Sequence, residues 1–374
     1  MVASLADLTL VIPAYNRPAY LARQIRYWST TDVKLCILDG SKEPAPGSLI
    51  LEMDNNVHYQ HLPIGFNDRL VLASNIVTTK YVALLGDDEI YSIKGLLDCI
   101  STLETEPALV ACVGRALFFY YRDGSIFSHQ VYEKSENVSN VYGDNIERLR
   151  NSFENGDPSR APYLLYGIFR TSEWKKIVET SYRRRYSSGY AYELAFQILG
   201  SYLGPTTMVE SLTWFRSGEN PAMSSEAVNR KIGMGEWGTS PSFVTEVSLF
   251  KNDIIDTMLR ESHHTKDHLT KIVNEITNDF FTYSLHKPQR PIAYWHRFLY
   301  FCARRTPKFL KQSLKRNMTS RLGRLLDYRG VPFDQALDRL REQAIDFDED
   351  EMRNISKFLT KFHENLEVAS RGNY

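Results

Sequence analysis

The sequence predicts an α/β fold, a mostly parallel sheet flanked by helices, with a helical region appended toward the C-terminus. Three observations carry this. Over the first hundred residues, apolar runs of four to six residues alternate with segments whose apolar residues recur at helical spacing. Each of these runs ends in polar or charged residues at the point where a ligand meets an open sheet. From about residue 245 the alternation gives way to long helical patterns.

The strands of the first part are "LTLVI" (8–12), "KLCIL" (34–38) and "YVALL" (81–85), each apolar enough to be buried on both faces. Between and after them, "PAYLARQIRYW" (18–28), "NDRLVLASNIV" (67–77) and "IKGLLDCISTL" (93–103) read as helices. A strand at 109–121 follows, then the turn "RDGS" (122–125) and a strand at 126–132. The Asp-Gly dipeptide makes this pair a hairpin. A helix at 144–156 precedes "LLYGIFRTSEWKKIV" (164–178), a basic, tyrosine-rich loop at 182–192, "SSGYAYELAFQILG" (187–200) and "LTWFRSGEN" (212–220). The Gly-, Ser- and Pro-rich stretch at 221–242 reads as a closing lid or linker. Helical patterns at 244–262, 269–285, 306–326 and 348–368 complete the chain.

At 374 residues, 43% hydrophobic and 24% charged, the chain can bury a substantial core with a smaller appended unit. The expected division is 1–243, with a first half to about 107, a second half at 108–220 and the lid or linker at 221–243, followed by a helical region at 244–374. The 45 basic residues balance 45 acidic ones, so no nucleic-acid partner is expected. Cys36, Cys99, Cys112 and Cys302 are scattered through apolar contexts, which suits buried thiols in a reducing compartment. With no signal peptide and no run of about 18 apolar residues, a cytoplasmic protein is expected, with membrane contact only at the surface.

The chemistry is concentrated at the strand ends. The first ends in "PAYNRP" (13–18), the second in "DGS" (39–41) and the third in "GDDE" (86–89). In a parallel sheet all three converge on one rim. Neither G-x-G-x-x-G nor G-x-x-x-x-G-K-[ST] is present, so no dinucleotide or P-loop cradle binds there.

Together, "LVIPAYNRP", "LDGS" and "YVALLGDDE" resemble the N-terminal half of family 2 glycosyltransferases of the GT-A type, in residue type, order and spacing. The resemblance covers roughly residues 8–220. It implies a Rossmann-like GT-A fold and transfer of a sugar from a nucleotide-sugar donor to a glycan or lipid-linked acceptor with inversion, as in assembly of surface polysaccharides. It also implies that Pro13, Tyr15 and Asp39 line the base pocket with Arg17 beside them, and that Asp87, Asp88 and Glu89 hold Mn²⁺ or Mg²⁺. Such an ion takes carboxylate and phosphate oxygens together and offsets charge on the departing diphosphate. Aligned on D-x-D-D the ligand is Asp88; aligned on D-x-E it is the pair Asp87 and Glu89, and Asp87 also falls at the donor. Many relatives have an aspartate at the position of Gly86 and an arginine at that of Ser74. Asp68 and Arg69, on the helix beneath the donor, are further candidates for donor contact. In the acceptor region Gly167 and Arg170 match the family, and Glu193 falls where it carries its catalytic base, followed here by Leu194 in place of an aspartate. Arg216 would reach the diphosphate and Trp214 the acceptor side.

Other readings compete with these. The acidic run also suits a cap on the helix after Tyr91, worth roughly 0.3–1 kcal/mol, and Glu193 suits the polar face of a packed helix. The arginines and tyrosines of 182–192 fit either sugar stacking and phosphate contact or a solvated loop. A sugar-phosphate nucleotidyltransferase would need a Gly-rich basic loop after the first strand, which "PAYNRP" is not, and the departures at Gly86, Ser74 and Leu194 motivate a degenerate fold serving binding or assembly. Residues 287–329 hold twelve Lys or Arg and the single acid Asp327, and include an amphipathic pattern that suits either peripheral membrane contact or internal packing. The heptad-like seam of Met352, Ile355, Leu359, Phe362 and Leu366 fits intramolecular packing better than a homo-oligomer, being only two heptads long.

Overall fold

The computed structural model describes residues 3–132, 139–158, 162–220, 232–286 and 330–371. The basic segment 287–329, with Cys302, and residues 221–231 of the 221–242 stretch lie outside the described residues.

Its centre is a ten-stranded mixed sheet. Strands β1 (Leu8–Ala14), β2 (Lys34–Asp39), β3 (Val57–His61) and β4 (Tyr81–Leu84) are parallel, in the order β4-β1-β2-β3. Helices α1 (Pro18–Trp28), α3 (Phe66–Ile76) and α4 (Ile93–Thr105), with the single turn α2 (Gly47–Ile50), fill the connections. β1 is buried at all seven positions, as its continuous apolar run requires. In register, Ala14 lies beside Asp39 and Val11 beside Leu84, so the three polar strand ends share one edge of the sheet.

Beyond β4 the sheet turns antiparallel. β8 (Ile168–Arg170) pairs with β4 and with β6 (Ala111–Arg122), and β6 pairs with β7 (Ser125–Val131) through a two-residue turn in which Asp123 and Gly124 both have positive φ, 52° and 80°. That is the geometry an Asp-Gly hairpin adopts. β9 (Thr206–Ser217) runs parallel to β6 and holds the two-residue β5 (Ile90–Tyr91) antiparallel. α5 (Asn145–Ser152) starts on a capping box between Asp144 and Glu147. α6 (Thr171–Ser181) and α7 (Tyr190–Leu203) cover one face of the sheet, and α8 (Met234–Thr239), α9 (Val244–Arg260) and α10 (Lys266–His286) pack behind them. After the undescribed segment, β10 (Val331–Pro332) joins the edge of β7, followed by α11 (Phe333–Glu342) and α12 (Glu349–Arg371).

One hydrophobic cluster joins Val11, Leu38 and Leu84 of the sheet to Ile254, Met258 and Phe281 of α9 and α10. Another brings Ile90, Phe119 and Phe215 against Phe333, Leu337, Met352, Ile355 and Leu359. The seam of the last helix is thus packed inside its own chain. Cys36, Cys99 and Cys112 are buried free thiols. Among the described residues no helix is long and apolar enough to cross a membrane.

Candidate active site

The shared edge of the sheet opens into two cavities that meet at Arg17. The smaller, about 310 Å³, is bounded by Asp39, Ser41, Lys42, Ala14 and Asn16. The larger, about 380 Å³, has Pro13, Asp87, Asp88, Glu89, Glu193 and Arg216 in its lining. Tyr15 sits half-buried in the β1–α1 loop and lines neither.

The loop from Gly86 to Glu89 is held from behind by α1. Gln24, fully buried, donates from Nε2 to the carbonyls of Asp87 (3.0 Å) and Glu89 (2.5 Å), and Arg23 donates to the carbonyl of Asp88 at 2.6 Å. None of the three acids caps the helix after Tyr91. That task falls to Ser92, whose hydroxyl accepts from the N–H of Gly95 at 2.9 Å, and to the distant Glu351, whose carboxylate accepts from the N–H groups of Ile93 and Lys94. The turn is closed by Glu89 itself: its Oε2 accepts from the Gly86 N–H at 3.2 Å, and a Cβ added at Gly86 would lie 3.0 Å from the Glu89 side chain. An aspartate in place of Gly86 would crowd that carboxyl.

The three acids have different surroundings. Asp87 is 1% exposed and pairs through Oδ1 with Arg17 at 2.9 Å; its Oδ2 is buried and makes no hydrogen bond. Burial, then the charge of Asp88, pushes the Asp87 carboxyl up to about 6 against the pull of Arg17. Asp88 Oδ2 lies 3.5 Å from the same guanidinium and accepts from Asn220 at 3.0 Å. Glu89 also accepts from the indole N–H of Trp214 at 3.2 Å, and burial, followed by the Asp88 charge, pushes it up to about 8. Among the described residues no three His, Cys, Asp or Glu side chains gather closely enough to enclose an ion. What the site offers is two neighbouring aspartates, one with a bare buried oxygen. That donor set suits a hard divalent cation completing its shell with phosphate and water, and does not suit a soft one.

Asp39 is 3% exposed, with Oδ1 accepting from the N–H and hydroxyl of Ser41 and Oδ2 from the hydroxyl of Tyr59 at 2.9 Å. Asp68 and Arg69 line neither cavity. Asp68 pairs with Arg185 at the surface, while Arg69, 1% exposed, reaches under the strand ends and donates to the carbonyls of Ala14 and Leu38, both at 2.7 Å. Arg170 likewise binds main chain, at Leu109 and Leu103, away from the cavities.

In the same cavity, Glu193 stands half-buried in the first turn of α7, while Leu194 and Phe196 beyond it pack into the core. Around it, Tyr182 and Tyr192 of the tyrosine-rich loop line the same cavity together with Tyr163, Tyr166 and Phe118, which sequence reasoning did not single out. Burial, with the charge of Glu193 adding to it, raises the hydroxyls of Tyr163 and Tyr166 well above the phenol range. Tyr166 stacks on Trp214 at 4.1 Å and Tyr132 on Tyr163 at 4.6 Å, and Arg216, at the exposed mouth, donates to the hydroxyl of Tyr132 at 3.0 Å. Within the loop 182–192 the tyrosines divide: Tyr182 and Tyr192 face the cavity, whereas Tyr186 packs against Trp237 and Phe250. Tyr163 caps and Tyr166 ends a single 3-10 turn, Leu164–Tyr166, too short to leave a periodic signal, so nothing in the sequence announced them.

Residues 9–159 match the family model of Glycosyl transferase family 2. In fold the chain is similar to the crystal structure of S. aureus TarS 1–349 in complex with UDP-GlcNAc, with a TM-score of 0.49 and 13% identity over 74% of this chain and 73% of that one. It is similar also to S. aureus TarS 1–349 alone (TM-score 0.47, 11% identity, 74% and 72% covered) and to the S. aureus TarS crystal structure (TM-score 0.46, 14% identity, 74% and 44% covered). No curated protein sequence matches the chain. The matched segment runs from β1 past α5 and contains the strand ends that form the acidic side of the site. The similarity of this chain to Glycosyl transferase family 2 is therefore carried by residues 9–159, the segment that builds the acidic side of the site.

Proposed function

We propose that the protein is an inverting, metal-dependent glycosyltransferase that moves a sugar from a nucleoside-diphosphate donor to a hydroxyl of a glycan or lipid-linked acceptor. The observation that carries this reading is the larger cavity, which is lined by both the acidic loop and Glu193 and joins the smaller cavity at Arg17. In this reading the base lies in the smaller cavity beside Asp39, and the diphosphate lies at the junction near Arg17 and Arg216. Asp87 and Asp88 would hold Mn²⁺ or Mg²⁺, whose charge offsets that of the leaving diphosphate when the ion is bound. Glu89, buried and pinned to the Gly86 N–H and the Trp214 indole, shapes the loop instead.

The sugar occupies the larger cavity, where tyrosine faces suit the C–H faces of a pyranose. Glu193 takes the proton of the acceptor hydroxyl as that oxygen attacks the anomeric carbon. A positioned base of this kind contributes about 10²- to 10⁴-fold in rate. The surrounding aromatic rings keep water from competing with the acceptor.

The test is thermal unfolding with UDP, GDP, CDP, CMP and dTDP, each with and without Mn²⁺. One diphosphate is expected to raise the melting temperature only when metal is present, because a ligand that binds the folded state alone stabilises it. In a transfer assay with the donor so identified, Asp88→Asn and Glu193→Gln are each expected to lose about 10²-fold or more while unfolding near the wild-type temperature. No shift with any nucleotide would overturn the proposal, and full activity in either variant would remove that residue from its role.

A further inference from the structure

The acidic loop is tied to the last helix of the chain, far outside the family match, through a line of buried charges. Arg23 of α1 has a side chain with 0% exposure, clamped between the rings of Tyr20 and Phe362, each centred 4.7 Å from its guanidinium carbon. Its Nη2 donates to the carbonyl of Asp88 at 2.6 Å and its Nη1 to Glu219 Oε2 at 3.3 Å. The other oxygen of Glu219 lies within ion-pair reach of Nε2 of His363 without hydrogen-bond alignment, both atoms being buried with no other partner, and the imidazole ring lies flat on Tyr121 at 4.5 Å. The next residue after Glu219, Asn220, donates to the carboxylate of Asp88. Phe362 and His363 both belong to α12.

We infer that α12 is a working part of the donor site: Phe362 and His363 are positioning residues that fix Arg23 and Glu219, and through them hold Asp88 in place. A buried guanidinium needs both a carboxylate and hydrogen-bonding partners, because removing one partner leaves an uncompensated charge that the chain must move to solvate. With Glu219 held by His363, Arg23 stays against the Asp88 carbonyl and Asn220 stays against its carboxylate. With that hold gone, Glu219 and Asn220 are freed together, and Asp88 loses contacts on both its main chain and its side chain. The docking of α12 does not depend on this line, since Met352, Ile355 and Leu359, one to three turns earlier, are buried in the core.

The inference rests on the reading that Asp88 faces a nucleoside-diphosphate donor, and the experiment separates the two. Affinities for UDP, GDP, CDP and dTDP with Mn²⁺ are measured for the full-length wild type, His363→Phe and His363→Gln, and donor KM and kcat are measured with the corresponding nucleotide sugar. The phenylalanine keeps the stack on Tyr121 but cannot pair with Glu219, whereas the glutamine amide can donate to it. His363→Phe is expected to weaken binding of the cognate diphosphate and raise donor KM about 10- to 100-fold, the loss associated with misplacing a contact group by an ångström. His363→Gln is expected to restore most of it and to melt nearer the wild-type temperature than His363→Phe does. Should His363→Phe fail to fold, the near-isosteric Glu219→Gln carries the same expectation. Wild-type affinity and donor KM in the variant that breaks the pair would overturn the inference, as would equal losses in the phenylalanine and glutamine variants. If the wild type binds none of the four diphosphates, the donor reading falls and this inference with it.

Discussion

Glu89 shows how far the fold alters a single carboxyl. With a folded-state pKa pushed up to about 8 by burial, against an ordinary 4.5, the native state holds a proton that the unfolded chain has released. Stability from this group is therefore complete below about pH 4.5 and is lost as pH rises toward 8, the reverse of a salt-bridged acid. Glu89→Gln, which imitates the protonated form and can still accept from Gly86 and Trp214, removes that slope. In chelator-treated protein its melting temperature is expected to match the wild type near pH 5 and to exceed it increasingly toward about pH 9; parallel curves across that range would refute the protonated assignment. The acidic run was legible in the sequence because it directly follows a strand. Which of its oxygens is bare was not, since that depends on Arg17, 70 residues earlier in the chain, reaching Asp87.

At the scale of elements, β1, α1, β2, β4 and α4 were legible because each is a long or strongly periodic signal. β3 was not: "VHYQH" is an edge strand with no fully buried position, so it lacks the apolar run that marks its neighbours. β5 and β8, of two and three residues, exist only by virtue of the strands beside them. Nor did the resemblance separate donor contacts from supports: Arg69, a candidate for the donor, instead ties the ends of β1 and β2 together from α3. Its space depends on Gly40, where a Cβ would lie 2.4 Å from the guanidinium carbon. Gly40→Ala must therefore displace Arg69 from Ala14 and Leu38. It is expected to cost about 1–3 kcal/mol in urea unfolding and to weaken nucleotide binding, since the smaller cavity is bounded by those same strand ends. Unchanged stability would show that the guanidinium has another resting place.

Across the whole molecule, the change of pattern near residue 244 was plain in the sequence, but a change of pattern is not a division of the core. The cluster under the sheet draws on both sides of that boundary, with Val11 and Phe169 in contact range of the same network as Ile254, Met258 and Phe281. A chain ending at Phe243 would bare the outer faces of α6 and α7 and the strand face now covered by α11 and α12. Such a fragment is expected to give no sharp near-ultraviolet dichroism and no cooperative unfolding transition, as a core without specific packing does; a cooperative transition would show that the first 243 residues are self-sufficient. The same shared core sets a timetable for synthesis. Phe215 completes its strand long before Phe333, which stacks on it, and Leu359 of the same cluster have been made. At roughly 5–20 residues per second, that face of the sheet waits on the order of ten seconds beside the ribosome with its apolar side uncovered. The compaction of that face thus waits for the synthesis of α11 and α12, and the interval before it is when a nascent chain would need a chaperone.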